Sequence, residues 1–265
     1  MIETAKRCDA TKYFIFTSTV KVIQGDEHIN VAEQSRPYWR TTDKAIAYWR
    51  SKAEAEQIVL DANTPSLKTV SLRPSLMVGL QEYALIPAQL DALAQGKSNI
   101  QLGDNKNLIN LVSSDNCTSA HLLALHALLD PSRANGKVDG EAFNITDDNP
   151  LPFWDVARDI WRAAGDTTEL TDVKVIPAWV ANIMASVAEF AFRWVFFSSK
   201  SPELNRHVVN FCTNTYTYDI SKAKKVLGYH PEKRTREILK EATEWEIERR
   251  RMASSKKGVE ETGAA

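Results

Sequence analysis

Three residues in this chain could together move a proton: Tyr48, Lys52 and Thr19. Tyr48 and Lys52 stand four apart in the alanine-rich stretch 43–62, so on a helix they share a face, one turn from each other. That face continues through Ala55, Val59 and Ala62, a small apolar stripe expected to turn inward. Lysine is rarely buried without a partner or a task, which makes its place on the stripe informative. A tyrosine used as general acid or base must be brought from about 10 toward the working pH. An ammonium held nearby does this by favouring the phenolate. By itself the pair fits equally a chance spacing, with Lys52 snorkelling off a core helix. Thr19 shifts the balance. The apolar run 12–17 suits a strand covered on both faces and breaks into Thr17-Ser18-Thr19. Hydroxyls at the carboxyl end of such a strand sit where open α/β sheets bind ligands, although they also serve in turns and caps.

Other elements must hold these groups. Residues 2–10 read as the end of a helix, and 24–40, polar with Gly25 and Pro37, as a loop near the substrate mouth. Thr42 or Asp43 would cap the Tyr48/Lys52 helix, which would stop near Asn63-Thr64-Pro65. Residues 67–72 read as a second buried strand, ended by Arg73-Pro74, where the proline would stop pairing. A helix over 87–95 closes at Gly96, and 100–112 reads as two strand pieces around the turn Gly103-Asp104-Asn105-Lys106. Ser114 or Asp115 would cap a helix carrying His121 and His126, both expected to be packing or surface residues. Residues 142–146 return to the sheet. From Phe153 the chain is mostly helical, with Trp154 and Trp161 on one core-facing side.

Composition narrows the class. A chain of 265 residues with net charge −1 can bury one good core and lacks the basic excess of a nucleic-acid binder. Cys8, Cys117 and Cys212 have no paired spacing and read as free thiols in a reducing compartment. The five histidines form no ligand cluster, so no metal is expected.

Thr17-Ser18-Thr19, followed about thirty residues later by Tyr48-x-x-x-Lys52, resembles the extended short-chain dehydrogenase/reductases. The likeness covers nearly the whole chain and is strongest to the 3β-hydroxysteroid dehydrogenase branch, particularly sterol-4α-carboxylate 3-dehydrogenases. It is carried by Leu72-Arg73-Pro74 with Gly79, by 103–108 running to Asp115-Asn116, by 143–147, by Phe153-Trp154-Asp155 and by 222–229. The resemblance implies a partial Rossmann fold, an α/β doubly wound parallel sheet, with a mostly helical substrate domain. The expected division is 1–147 with a substrate-side insert at about 76–107, then 148–251, then a disordered tail at 252–265. It implies NAD or NADP as hydride acceptor from the 3β-hydroxyl of a steroid or 4-carboxysterol. Tyr48 would be the base, Lys52 would also bind the nicotinamide ribose, and Thr19 would orient the substrate oxygen. The backbone after Pro74 would border the nicotinamide, unless that proline merely ends a strand. No Gly-x-Gly-x-x-Gly cluster follows a strand here, so the first βαβ units are expected to be missing and the chain alone to be a truncated, inactive form.

Residues 176–197 are the most apolar, with Asn182, Ser186, Glu189 and Arg193 on a single stripe. A span would bury charges that each cost about 2.5–3.5 kcal/mol at mid-bilayer. A helix lying on the membrane surface, or one covering a sterol-sized pocket, fits better. The resemblance places the protein on the cytoplasmic face of the endoplasmic reticulum membrane, otherwise in the cytoplasm, and is compatible with a homodimer. Arg249-Arg250-Arg251 would end the last helix, suiting its dipole or touching anionic lipid. A sugar-nucleotide epimerase or reductase, and a non-catalytic interaction protein on the same fold, remain as rival readings.

Overall fold

Strands that run parallel need crossover segments between them, and the order of elements supplies two such crossovers. The computed structural model describes residues 1–195, 202–232 and 234–263. The first elements are α1 (Ile2–Arg7), β1 (Tyr13–Thr17), β2 (His28–Val31), α2 (Ala47–Asp61), β3 (Lys68–Pro74) and β4 (Leu76–Val78). Then come α3 (Leu85–Ala94), β5 (Ile100–Leu102), β6 (Leu108–Ile109), β7 (Leu111–Ser113), α4 (Ser114–Leu129) and β8 (Glu141–Ile145). The remainder is β9 (Leu151–Pro152), α5 (Phe153–Ala163), β10 (Lys174–Ile176), α6 (Ala178–Phe190), α7 (Arg206–Thr213), β11 (Tyr216–Tyr218) and α8 (Thr235–Gly263).

The chain forms two units, interleaved in sequence. The first comprises Met1–Met77, Asn110–Pro150 and Tyr216–Lys233. The second comprises Val78–Ile109, Leu151–Thr215 and Arg234–Ala265.

In the first unit β1, β3 and β8 form a parallel sheet in the order β1-β3-β8, with α2 and α4 as the crossovers. Along β3 the side chains alternate. Val70 and Leu72 enter an apolar core with Ala120, Ala124 and Leu128 of α4, Phe143 and Ile145 of β8, and Ile220 and Leu227. Ser71 and Arg73 point the other way and bond Glu56 of α2. This period of two sets one helix on each face of the strand. It is the doubly wound Rossmann arrangement expected of the chain. Pro74 does not stop pairing as expected: it closes β3 opposite Ile145, and the next amide, Ser75 N, still donates to Ile145 O at 3.0 Å. A proline at the strand's last position leaves that ladder intact.

Other local expectations shift. The supposed loop 24–40 contains β2, which pairs in parallel with β11. α4 is capped by Ser113, whose hydroxyl accepts from Asn116 N at 3.1 Å, one residue before the expected cap. Neither Thr42 nor Asp43 caps α2, which starts at Ala47 after Ile46. The Asp43 carboxylate instead accepts from Arg40 N and Gln24 Nε2.

In the second unit β5 and β6 do not form a hairpin. β5 pairs in parallel with β10 and β6 antiparallel with β9. Gly103 and Asn105 both take positive φ in the turn between them, a conformation these two residue types tolerate, so the turn was legible but its partners were not. α5 buries Phe153, Val156, Ala157, Ile160 and Trp161, and Trp161 Nε1 donates to Gln89 O at 2.8 Å. The helix predicted to end at Arg251 continues, as α8, through much of the expected tail, with no proline before Gly263 to stop it. Arg249 and Arg250 both bond the buried Glu246 carboxylate, and Arg250 also reaches Asp91 at 2.7 Å. Two of the three arginines are therefore engaged within this unit instead of being held out for lipid. Among the described residues no helix is long and apolar enough to cross a membrane.

Candidate functional site

The carboxyl end of β1 gathers the groups singled out from the sequence. Lys52 Nζ donates to Thr17 O at 2.8 Å and lies 4.9 Å from the centroid of the Phe16 ring. The ammonium of α2 is thus tied to the strand end two residues before Thr19. Thr19 is half-buried, and its Oγ1 accepts from Lys21 N at 3.3 Å, starting a short 3₁₀ turn over Val20–Val22. Ser18 N donates to Leu72 O at 2.7 Å, so β1 and β3 stay in register up to the site and Pro74 lies just beyond on the neighbouring strand.

Tyr48 sits in the first turn of α2 and is 53% exposed; no hydrogen bond joins it to Lys52 or Thr19 among the described residues. The stripe expected to face inward therefore turns away as it approaches the site. Val59 and Ala62 are buried, Ala55 and Lys52 are intermediate, and Tyr48 is open. The buried line of α2 is Ala53, Glu56 and Val59, which leaves Tyr48 and Lys52 at the edge of the packed face.

Sequence reasoning missed Glu56. It is fully buried, one turn after Lys52, and its carboxylate accepts from Arg73 Nη2 at 2.6 Å, Arg73 Nε at 2.9 Å, Ser71 Oγ at 2.8 Å and Tyr38 OH at 2.8 Å. Arg73 Nη1 donates to Glu33 O at 2.8 Å. Burial works against the Glu56 charge, but the Arg73 guanidinium and the hydroxyl donors outweigh it and hold the carboxyl below its ordinary value. Burial, opposed by Arg73 and aided by Glu56, pushes the Tyr38 phenol up to about 12. The network pins α2, β3 and the 24–40 segment together behind the site. A usable signal was available, namely a glutamate four residues after Lys52 on a helix otherwise rich in alanine.

Thr17 Oγ1 and His121 Nε2 are 2.8 Å apart. His121 Nδ1 meets Cys117 O at 2.8 Å, and since a carbonyl can only accept, Nδ1 carries a proton there. His121 is thus a tether between α4 and the strand end, a packing role as expected.

A nicotinamide dinucleotide fits the residues present at one of its ends. Beyond Pro74, Ser75 Oγ is buried without a hydrogen-bond partner among the described residues, leaving donor and acceptor capacity past the end of β3. Lys52, Ser75 and the backbone after Pro74 could hold the nicotinamide and its ribose. Among the described residues no group of three His, Cys, Asp or Glu side chains is arranged for a metal.

Lys21 is the other residue the sequence did not flag. Its Nζ lies 3.0 Å from the centroid of the Tyr216 ring and 5.5 Å from that of Trp49, the neighbour of Tyr48. Burial lowers its pKa to about 7, against a weaker upward pull from exposed Asp26. Behind Tyr216, at 6.1 Å and edge-on, lies the buried His28 ring, whose Nδ1 bonds Tyr218 OH at 2.8 Å. Burial, then the charges of Lys21 and Arg36, push His28 down to about 3.

The chain is similar to known proteins both in sequence and in fold. A sequence model of the 3-beta hydroxysteroid dehydrogenase/isomerase family matches residues 1–175. A decarboxylating sterol-4-alpha-carboxylate 3-dehydrogenase of Schizosaccharomyces pombe is 38% identical over 220 residues, 82% of this chain and 61% of that protein. The decarboxylating sterol-4-alpha-carboxylate 3-dehydrogenase of Mus musculus is 30% identical over 87% of this chain and 62% of its own length. The chain thus spans about six tenths of these relatives. Among solved structures, a dTDP-glucose 4,6-dehydratase from Bacillus anthracis in complex with NAD superposes with a TM-score of 0.58 at 20% identity, covering 93% of this chain and 65% of that one. At that identity the likeness is one of fold.

Proposed function

Because the chain belongs to the 3-beta hydroxysteroid dehydrogenase/isomerase family, we propose that it carries the catalytic and substrate portion of an NAD(P)-linked dehydrogenase acting on the 3β-hydroxyl of a 4-carboxysterol. The observation that carries this reading is the 2.8 Å bond from Lys52 Nζ to Thr17 O. It ties the Tyr-x-x-x-Lys helix to the Thr-Ser-Thr strand end, which supports a site drawn from these two elements at one sheet edge.

In this reading Thr19 hydrogen-bonds the substrate oxygen and Tyr48 removes its proton. Lys52, one turn further along α2, supplies a positive charge to the site from its place on Thr17 O. The bound nicotinamide cofactor supplies the acceptor for the hydride leaving the hydroxyl-bearing carbon. The product ketone stands next to the carboxylate-bearing carbon. When carbon dioxide leaves, the electron pair of the broken C–C bond delocalises into that ketone and the resulting enolate takes a proton.

A lipid surface is the natural partner for α6. Ala181 and Ala185 face inward, while Trp179, Ile183, Val187, Phe190 and Trp194 are exposed along one side, extending into the π turn Ala191–Val195. An exposed aromatic face on a helix too short to span suits the membrane interface, with its apolar side in the headgroup boundary. Phe196 and Phe197, expected in this stretch, lie outside the described residues. The cytoplasmic face of the endoplasmic reticulum is the membrane this reading favours.

The test uses the chain extended by the glycine-rich nucleotide-binding segment of a relative of which it spans about six tenths, with millimolar NAD⁺ or NADP⁺ and a 3β-hydroxysteroid 4-carboxylate. Nicotinamide reduction should fall by about 10²–10⁴-fold on Tyr48→Phe, with sterol binding, followed by tryptophan quenching, retained. Equal rates in the two proteins would remove Tyr48 from the chemistry, and no sterol binding would refute the function.

A further inference from the structure

We propose that Lys21 is the substrate-carboxylate receptor of this site and sets its preference for acidic sterols over neutral ones. The inference rests on the functional reading above and adds a residue that neither the Tyr-x-x-x-Lys pair nor the threonine explains.

The argument begins with placement. Lys21 follows Thr19 by two residues, and its backbone amide donates to the Thr19 hydroxyl, so the two residues share one tight turn. Its ammonium meets two aromatic faces, Tyr216 and Trp49, and Trp49 directly follows Tyr48 in α2. Lys21 is therefore flanked by the orienting hydroxyl on one side and the first turn of the catalytic helix on the other.

Partnering is the second point. Among the described residues Lys21 Nζ has no hydrogen-bond or ion-pair partner within range, although the residue is half-buried. Such a lysine is uncommon, because lysines withdrawn from water are normally paired. Ring faces offset part of the desolvation, but they accept no full hydrogen bond from the three ammonium protons. The carboxylate that acts on it, Asp26, lies on the exposed side. On the inner side stands His28, which burial keeps uncharged and which therefore offers neither a rival cation nor an anion. Among the described residues the position is a lysine lined by rings, with Asp26 acting on it from the exposed side.

The ligand chemistry follows. An anion that sits beside a hydroxyl on adjacent carbons can place the hydroxyl at Thr19 and the anion at Lys21 together. A 3β-hydroxy-4-carboxysterol has that pair, and the two rings offer apolar contact to the sterol edge around it. A sterol without the carboxylate would leave Lys21 as unpaired as it is now, so the preference arises from the cost of that vacancy as well as from the new bond.

The experiment compares binding of a 3β-hydroxysteroid 4-carboxylate and its methyl ester to the full chain by calorimetry. The wild-type protein should prefer the acid by about 10–100-fold, the range of a charge-assisted hydrogen bond. In Lys21→Met the ratio should fall toward one, and in Lys21→Arg, which keeps the charge, it should remain above about 5-fold. Should the methionine protein fail to fold, Lys21→Gln provides the same reading with a polar side chain. An undiminished acid preference in the Met or Gln protein overturns the assignment. A wild-type ratio near one also overturns it while leaving the functional reading standing. Binding of neither steroid overturns both.

Discussion

Replacing Glu56 by glutamine probes the network behind the site. The substitution keeps the shape of the side chain but removes the charge that balances Arg73, which is 1% exposed. The glutamine amide offers a single oxygen to donors from Arg73, Tyr38 and Ser71 and turns an NH₂ toward some of them. With charge centres about 4 Å apart and an effective dielectric of about 20, the lost attraction is about 4 kcal/mol. Removing one partner of a buried ion pair elsewhere costs about 3–5 kcal/mol, because the other charge is stranded. We expect ΔG of unfolding, from urea midpoints at unchanged slope, to fall by about 4 kcal/mol, with Tm lower by about 10 °C. The paired change Glu56→Leu with Arg73→Met should recover part of the loss, since neither charge of the pair is then left stranded by the other. Acid should separate the proteins further. The folded carboxyl of Glu56 lies below its ordinary value, so its contribution is complete above the unfolded value of about 4.3 and disappears as pH falls through the folded one. The glutamine protein should lack that part of the acid slope. A loss under about 1 kcal/mol, or an identical acid profile, would refute the view that this pair holds α2 against the sheet.

In the same extended protein, Lys52→Met removes the tie to Thr17 O and a charge one helical turn after Tyr48; turnover should fall by about 10²-fold or more, with partial return in Lys52→Arg. An unchanged rate would reduce Lys52 to a snorkelling side chain. The wild-type chain should sediment with vesicles containing anionic lipid, and serine at Trp179, Phe190 and Trp194 together should release it. Equal sedimentation of both proteins would assign that face another role.

Much of the site was legible because it is local. Tyr48 and Lys52 share a helix face by spacing alone, and the apolar run into Thr17-Ser18-Thr19 marks the carboxyl end of a strand without reference to anything distant. The same holds for α5, whose buried tryptophan follows from helical periodicity. What the tertiary structure decided lies in contacts between residues far apart in the chain. Glu56 reads as one more solvated helix charge until β3 brings Arg73 beside it across seventeen positions. Lys21 reads as a surface lysine until Tyr216, from the far end of the sequence, closes over its ammonium. The strand pieces around Gly103 showed a turn but not their partners, because backbone hydrogen bonds to β10 and β9 leave no mark on the periodicity of β5 and β6. The rotation of α2, expected to bury the stripe through Tyr48 and Lys52, was corrected for the same reason. Spacing defines which residues share a face, and only packing against the sheet selects the face that is buried, here the one led by Ala53 and Glu56 with Tyr48 left at its open edge.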